Sequence, residues 1–360
     1  MSQTVWSPTD AVPGSGEQSV NLPHETPLSR LIQAEFADER LSQTLDLRSE
    51  RVPHRLWSTA LEGPLLELLS RPGKEFRSRL VEVAYHASCS GDAAMPEQLP
   101  LLVEILHAGS LIIDDIEDGS THRRGKPALH QVVGVPLALN AGNWLYFLPH
   151  SVLERLGLPA NVELQVRRVL DRGVLRCHYG QALDLSARLS GLAQREVPEV
   201  VSLSSRLKTG SLLELAAELG CAAAGAPAAL RAELGEFGRS YGVALQMLDD
   251  VSGLFEERRA HKGHEDLLNG RATWPWAWLA RQLDEVSYSR LQHRAREVER
   301  RDLHPELLAK ALRKALGDAP YRTIHAHLNQ AFARLERHVV SCHLLAPLAE
   351  EIERLEHAYV

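Results

Sequence analysis

LLVEILHAGSLIIDDIED, residues 101–118, decides how this chain is read. Its apolar residues recur every three or four positions, the period of a helix with one buried face. The run then ends in carboxylates. On such a helix Asp114 and Asp118 stand one turn apart on a shared face, with Asp115 beside them and His107 two turns before Asp114. A helix C-terminus is an unfavourable place for carboxylates unless cations accompany them. Two aligned carboxylates can hold Mg²⁺ through one or two oxygens each, leaving other positions to phosphate oxygens and water. The plain alternative is a solvated acidic helix end.

Working outward, Arg123-Arg124-Gly125 follows at once, and arginine forks suit phosphate. A second acidic pair, Asp249-Asp250, closes another apolar stretch. Gln246 precedes it by one turn, and Gly253 occupies the next turn, where a third acid could stand. Lys208-Thr209-Gly210 lies upstream; Lys262, Glu265-Asp266 and Gly270-Arg271 lie downstream. Lys74 and Arg77 sit at a helix start that lacks the Gly-rich loop and Lys-Ser/Thr ending of a P-loop. Two carboxylate clusters that face each other form a site for hard divalent cations, and cations so held can grip a diphosphate. One diphosphate fits among metals, both acid clusters, Arg123, Lys208 and Lys262. A second, metal-free one fits Lys74, Arg77, His107 and Arg124. Ordinary readings exist for single members: Lys208 and Arg271 as solvated charges, Gln246 as an internal helix hydrogen-bonder, Asp266 as an i,i+4 partner of Lys262.

The remainder of the chain supports a helical protein. From Pro27 onward Leu, Ala, Glu and Arg dominate and β-branched alternation is scarce. Breakers fall at 71–73, 90–92, 157–159 and 225–227. The expectation is one all-α domain over residues 25–360, roughly 10 to 13 helices bundled around a central cavity, after a flexible lead-in over residues 1–24. Lys and Arg total 40 against 47 Asp and Glu, a charge of -7 that gives no reason to expect nucleic acid. Cys89, Cys177, Cys221 and Cys342 form no C-x-x-C and read as buried thiols in a reducing compartment. No signal peptide, prenylation signal or apolar run of membrane-span length is present, so a cytoplasmic protein is expected.

Together these stretches resemble the trans-isoprenyl diphosphate synthases, the all-α prenyltransferases. The similarity runs over about residues 50–290. LHAGSLIIDDIEDGSTHRRGKPALH at 106–130 carries most of it, with PGKEFR at 72–77, GQALD at 180–184, KTG at 208–210, QMLDD at 246–250 and KGHEDLLNGR at 262–271. The PGK-x-x-R and DDIED forms look most like short geranylgeranyl diphosphate synthases. The resemblance implies the isoprenoid synthase bundle, a homodimer, and Mg²⁺ as cofactor, three per active site with Mn²⁺ as a substitute. It implies that Asp114, Asp118 and Asp249 ligate metal, with Asp115 and Asp250 beside them. Arg123, Lys208 and Lys262 would hold the allylic diphosphate; Lys74, Arg77, His107 and Arg124 would hold isopentenyl diphosphate. Thr209 and Gln246 would line the reaction zone. Two departures stand out: Gly253 cannot ligate metal, and Arg271, assigned to substrate binding, stands where the resembling enzymes commonly have Lys.

Product length is read from positions four and five before Asp114, which are Ser110 and Gly109. Bulky aromatics there shorten products in the resembling family, so two small residues favour C20. Small residues can also serve close helix packing, and a deeper floor from Tyr85, His86 or Trp144 is open. Alternatives are a farnesyl or longer polyprenyl diphosphate synthase, a class I terpene cyclase or unusual-acceptor enzyme of the same fold, and a non-catalytic partner subunit.

Overall fold

The computed structural model describes residues 25–46, 52–71, 76–89, 94–337 and 342–357. The expected lead-in over 1–24, Lys74 and the break at 90–92 lie outside them. The α-helices, in chain order, are α1 (Pro27–Glu35), α2 (Asp38–Thr44), α3 (His54–Trp57), α4 (Gly63–Leu69), α5 (Phe76–Ser88), α6 (Leu101–Asp118), α7 (Leu129–Val133), α8 (Val135–Glu154), α9 (Ala160–Ser186), α10 (Val197–Ser205), α11 (Ser211–Ala223), α12 (Ala228–Phe255), α13 (Ala260–Leu268), α14 (Trp274–Gln282), α15 (Glu285–Glu299), α16 (Pro305–Leu316), α17 (Ala319–Glu336) and α18 (Cys342–His357). Among the described residues there are thus eighteen α-helices, more than the expected 10 to 13. Part of the excess comes from single π-turns, at Ser58–Glu62 and Arg206–Gly210, which divide stretches that read as continuous helix. The only strands described are β1 (His122–Arg123) and β2 (Lys126–Pro127), paired as a hairpin.

α11 is the hub. Leu213, Leu215, Ala216, Leu219 and Cys221 are buried on all sides of it, the mark of a helix enclosed by others. It packs on α5, α9 and α12. Its buried Glu214 and Glu218 are not left bare: Glu214 pairs with Arg176 at 2.8 Å and with Arg239, and Glu218 with Arg172.

α6 buries Leu102, Ile105, Leu106 and Ile112 along one stripe. Each such side chain contributes about 1.5–3 kcal/mol by leaving water. Gly119, at φ 66, ends the helix in the left-handed conformation directly after Asp118, and Ser120 N–H donates to Asp115 O at 2.9 Å. The carboxylates therefore sit in the last turn of a well-anchored helix. The breaks at 157–159 and 225–227 fall between α8 and α9 and between α11 and α12. Among the described residues no helix is long and apolar enough to cross a membrane.

Candidate active site

Asp114 and Asp118 project from the last turn of α6 towards α9, α13 and the π-turn Arg206–Gly210. Lys208, on that π-turn, places its ammonium 2.9 Å from Asp114 Oδ1 and 3.0 Å from Asp184 Oδ2 on α9. The turn can approach because position 180 is glycine: a Cβ there would collide with the backbone at Leu207 and Lys208. Single π-turns are favoured at functional sites because they shift the side-chain register by one residue. Gln181 Nε2 donates to Asp114 Oδ1 at 2.9 Å and to Glu117 at 2.6 Å. Arg271 is buried between Asp118, with which it forms an ion pair, and Asp184, whose carbonyl accepts from it at 2.5 Å.

The second acidic pair is tied to the same turn. Thr209 Oγ1 donates to Gln246 Oε1 at 2.7 Å, and Gln246 Nε2 donates to Asp250 Oδ1 at 2.7 Å. The Trp274 backbone N–H donates to Asp250 Oδ2 at 2.9 Å. Adjacent residues Lys208 and Thr209 thus join Asp114 on one side to Asp250 on the other. The short segment from Arg271 to Trp274 makes the same connection, Asp118 to Asp250, from the opposite end. Asp249 pairs with Arg259 at 2.6 Å. Lys262 lies 3.2 Å from Asp266 and 3.6 Å from Glu265, the i,i+4 and i,i+3 pairs of its own helix.

Charge and burial compete throughout. Burial raises the proton affinity of Asp114, but Lys208, Lys262 and Arg123 overcome it and bring that carboxyl down to about 2. Asp118 goes the other way: burial and the Asp114 charge lift it, against Arg271. Burial pushes Asp250 up to about 8, with Asp266 and Asp249 adding repulsion and the Trp274 N–H and Gln246 opposing. Burial would depress Lys208 and Lys262, but Asp114 and Asp184 raise the first, and Asp266 and Glu265 raise the second.

The hairpin after α6 sorts the two arginines. Arg124, at φ 52, and Gly125, at φ 76, form its tip, an uncommon backbone for a side chain as large as arginine. Arg123 turns back onto Asp115, its Nε 3.0 Å from Oδ1, and also comes within 4.0 Å of Asp114 Oδ2, so the buried Asp115 shares its cation with Asp114. Arg124 donates to Arg71 O at 2.9 Å. Buried Arg71 fixes the hairpin by donating to Arg123 O at 2.8 Å and Pro127 O at 2.9 Å. Across from it, Glu104 accepts the Ser78 N–H at 3.0 Å and holds the start of α5 against α6. Arg77, on that first turn, has a buried Nε with no hydrogen-bond partner among the described residues. Burial, with Arg77, Arg124 and Arg123 nearby, keeps His107 well below its usual value of 6.5, as a neutral imidazole. Arg77 and Arg124 therefore form a cationic patch beside the neutral His107, with the Glu104 carboxylate close to Arg124.

Gly253 has a steric explanation. α13 crosses α12 there, and a Cβ on Gly253 would stand 3.1 Å from the Cα and N of Gly263, while one on Gly263 would collide with the Gly253 carbonyl. Gly109 likewise serves the α6–α8 crossing: its Cβ would lie 3.0 Å from Gly142 O and 3.1 Å from Leu145 Cβ. Close packing, the second reading of its size, is thus served at this position. Ser110 Oγ folds back onto His107 O at 2.8 Å. Of the deeper candidates, Tyr85 is buried edge-on to His86, and Trp144 packs on Phe36. Asp184, Gln181, Arg259 and Arg71 were not singled out by sequence reasoning. The GQALD stretch was the available signal for the first two.

Among the described residues no three His, Cys, Asp or Glu side chains converge as a ready-made metal cage. The donors present fit Mg²⁺ all the same. They are hard carboxylate oxygens on separate helices, and Mg²⁺ is characteristically held by one or two carboxylates with substrate phosphates completing the shell.

The polyprenyl synthetase family profile matches residues 58–310. Geranylgeranyl pyrophosphate synthase 2 of Zymoseptoria tritici is 33% identical over 217 residues, covering 60% of this chain and 63% of that protein. Geranylgeranyl pyrophosphate synthase penG of Penicillium crustosum is 30% identical over 263 residues, 69% of this chain and 72% of that protein. The matched stretch is thus under two thirds of the Zymoseptoria relative's length. Among solved structures, geranylgeranyl pyrophosphate synthetase from Pyrococcus horikoshii superposes with a TM-score of 0.67 at 25% identity, over 91% of this chain and 96% of that one. Heptaprenyl diphosphate synthase from Staphylococcus aureus reaches 0.70 at 20% identity, over 92% and 99%. The bundle has the isoprenoid synthase fold, and the chain belongs to the polyprenyl synthetase family.

Proposed function

We propose that this protein joins isopentenyl diphosphate head-to-tail to an allylic diphosphate, with geranylgeranyl diphosphate as its main product. The observation that carries the reading is the meeting of both acidic pairs at Lys208-Thr209, beside the separate cationic patch of Arg77 and Arg124 with the neutral His107. One site is built for a diphosphate with metal, the other for a diphosphate without it. The names of the Zymoseptoria and Penicillium relatives favour the C20 product.

Asp114, Asp118 and Asp249 would hold Mg²⁺, three ions per site, with Mn²⁺ as a substitute. Bound magnesium supplies positive charge against the leaving diphosphate. Lys208, Lys262 and Arg123 bind the same diphosphate and stabilise charge as the allylic C–O bond opens. To do so Arg123 shares its fork between substrate and Asp115, and Lys208 shares its protons among Asp114, Asp184 and phosphate. Arg271, the remaining substrate-binding candidate, stands against Asp118 and Asp184 and steadies them beside the diphosphate. Thr209 fixes the Gln246 amide at the reaction zone. Lys74, Arg77, Arg124 and neutral His107 hold isopentenyl diphosphate, so its double bond can attack the allylic carbon. The proton then leaves, with a diphosphate oxygen as acceptor. The packed helices exclude water from the cationic carbon.

The working form proposed is a homodimer in the cytoplasm. Val135, Leu139 and Phe147 make one exposed stripe along α8, and Leu164, Leu175 and Tyr179 another along the adjacent α9. Phe147 is 73% exposed, and an apolar face of this kind suits a second copy.

A terpene cyclase has no use for a second diphosphate patch, so the patch disfavours it. The test is to supply isopentenyl diphosphate with C5, C10 or C15 allylic primers and weigh the products. A dominant C20 diphosphate that vanishes with EDTA and returns with Mg²⁺ supports the proposal. A C15 or longer-than-C20 product overturns the chain-length assignment, and no turnover with any primer overturns the activity.

A further inference from the structure

α12 has a second environment one turn before Asp250. There Val243 and Met247 floor a cavity of about 450 Å³, walled by α10, α14 and α17. None of the residues assigned above to metal or diphosphate lines it. One side is apolar: Val243, Met247, Trp274, Trp278 and Ala326. The other is cationic: Arg206, Arg239 and Arg281. Arg239 is already neutralised by Glu214 and Glu236. Arg206 and Arg281 are exposed, and neither has an ion-pair partner among the described residues. His327, beside them, spends its Nε2 on Ser240 O at 3.0 Å, and burial favours its neutral form. Glu236 also lines the cavity, but its carboxylate is taken by Arg239, so two guanidinium groups, Arg206 and Arg281, face the aromatic and aliphatic wall without an ion pair among the described residues. A polar loop surface does not need that wall, and a packed core does not tolerate those charges.

From this juxtaposition we propose that the cavity is a second ligand site, for a small amphiphilic organic phosphate. Its phosphate sits between Arg206 and Arg281, and its apolar body lies against Trp278, Val243 and Met247. Volume suits such a ligand, since small-molecule sites commonly enclose about 300–1,000 Å³. The site is separate from the diphosphate centre yet shares a wall with it. The Trp274 ring lines the cavity, its indole N–H donates to Ser205 Oγ at 2.9 Å, and its backbone N–H holds Asp250. The proposal does not depend on which reaction the centre performs.

The test is calorimetric titration of the whole protein with 1-naphthyl phosphate, in EDTA so that metal-dependent diphosphate binding is silent. The expected result is one saturable site per chain. Arg206→Ala and Arg281→Ala should each weaken it about tenfold or more, as loss of a charge-assisted contact does. Lys208→Ala, in the metal centre, and Arg124→Ala, in the metal-free patch, should each leave it unchanged, and inorganic phosphate should bind at least about tenfold more weakly because it lacks the apolar body. Unaltered thermal melts of the Arg206 and Arg281 variants would show that folding is not the cause. Absence of saturable binding overturns the proposal. So does binding that Lys208→Ala or Arg124→Ala removes and the Arg206 and Arg281 variants keep, which places the probe in one of the two diphosphate sites. Equal affinity for inorganic phosphate, or an uptake above one per chain that no variant changes, overturns it too.

Discussion

Lys208 is the residue on which both halves of the centre depend, and its posture is set by Asp184 as much as by Asp114. Asp184→Asn keeps the shape but removes a charge that orients both Lys208 and Arg271. Partners that orient a site in this way typically contribute 10–100-fold, and that loss in kcat is expected, with little change in KM for isopentenyl diphosphate. Steady-state kinetics with each substrate varied will show it. His107 makes a different prediction. Its native form resists protonation, whereas the unfolded chain takes a proton near 6.5. The unfolded state therefore binds more protons below that pH, and stability is full above about 6.5 and falls as pH drops. The slope reaches at most about 1.4 kcal/mol per pH unit for one group. His107→Gln should flatten the fall in urea midpoint between pH 6.5 and 5.5. At this scale the acidic pairs were legible because carboxylates closing an apolar helix are out of place unless cations accompany them. Asp184 and Gln181 were legible only as part of the GQALD stretch and Arg259 not at all, since each matters through the helix it happens to face.

Elements are placed by backbone contacts that composition does not advertise. The π-turn Arg206–Gly210 presents Lys208 and Thr209 in opposite directions, to Asp114 and to Gln246, and an unbroken helical reading of that stretch does not contain it. The periodicity of α6 and α12 was plain, because their apolar stripes are long. The hairpin His122–Pro127 was missed because two-residue strands have no period to read. Gly253 was read as a missing ligand. Its neighbour Gly263 makes it a contact point between α12 and α13, and α13 carries Lys262. Restoring an acid by Gly253→Asp should therefore overpack the crossing, lowering stability by about 1–3 kcal/mol without raising activity. Gly263→Ala should destabilise similarly, since its Cβ meets a carbonyl. Thermal melts alongside turnover assays test both; a more active and equally stable Gly253→Asp would contradict this view of the crossing.

For the whole molecule, one all-α bundle was foreseeable from helix formers, scarce β-branched alternation and breakers between long segments. A homodimer was expected from the resemblance alone; which face would join two copies was not foreseeable, because exposure along α8 and α9 emerges only when the helices are packed. If the proposed dimer joins through this face, Phe147→Glu combined with Tyr179→Glu should yield monomer in sedimentation equilibrium, since two charges per chain would be buried unpaired at the joint. Unchanged mass would remove that face from the assembly. The central claim is that two diphosphates meet in one centre, where the allylic C–O bond opens productively only when isopentenyl diphosphate is there to capture the carbon. The most direct measurement is diphosphate release from farnesyl diphosphate with Mg²⁺, with and without isopentenyl diphosphate. The account predicts release only when both are present, one for each isopentenyl unit consumed, with a C20 diphosphate formed. Release of similar speed without isopentenyl diphosphate, yielding a cyclic hydrocarbon or an alcohol, would contradict it.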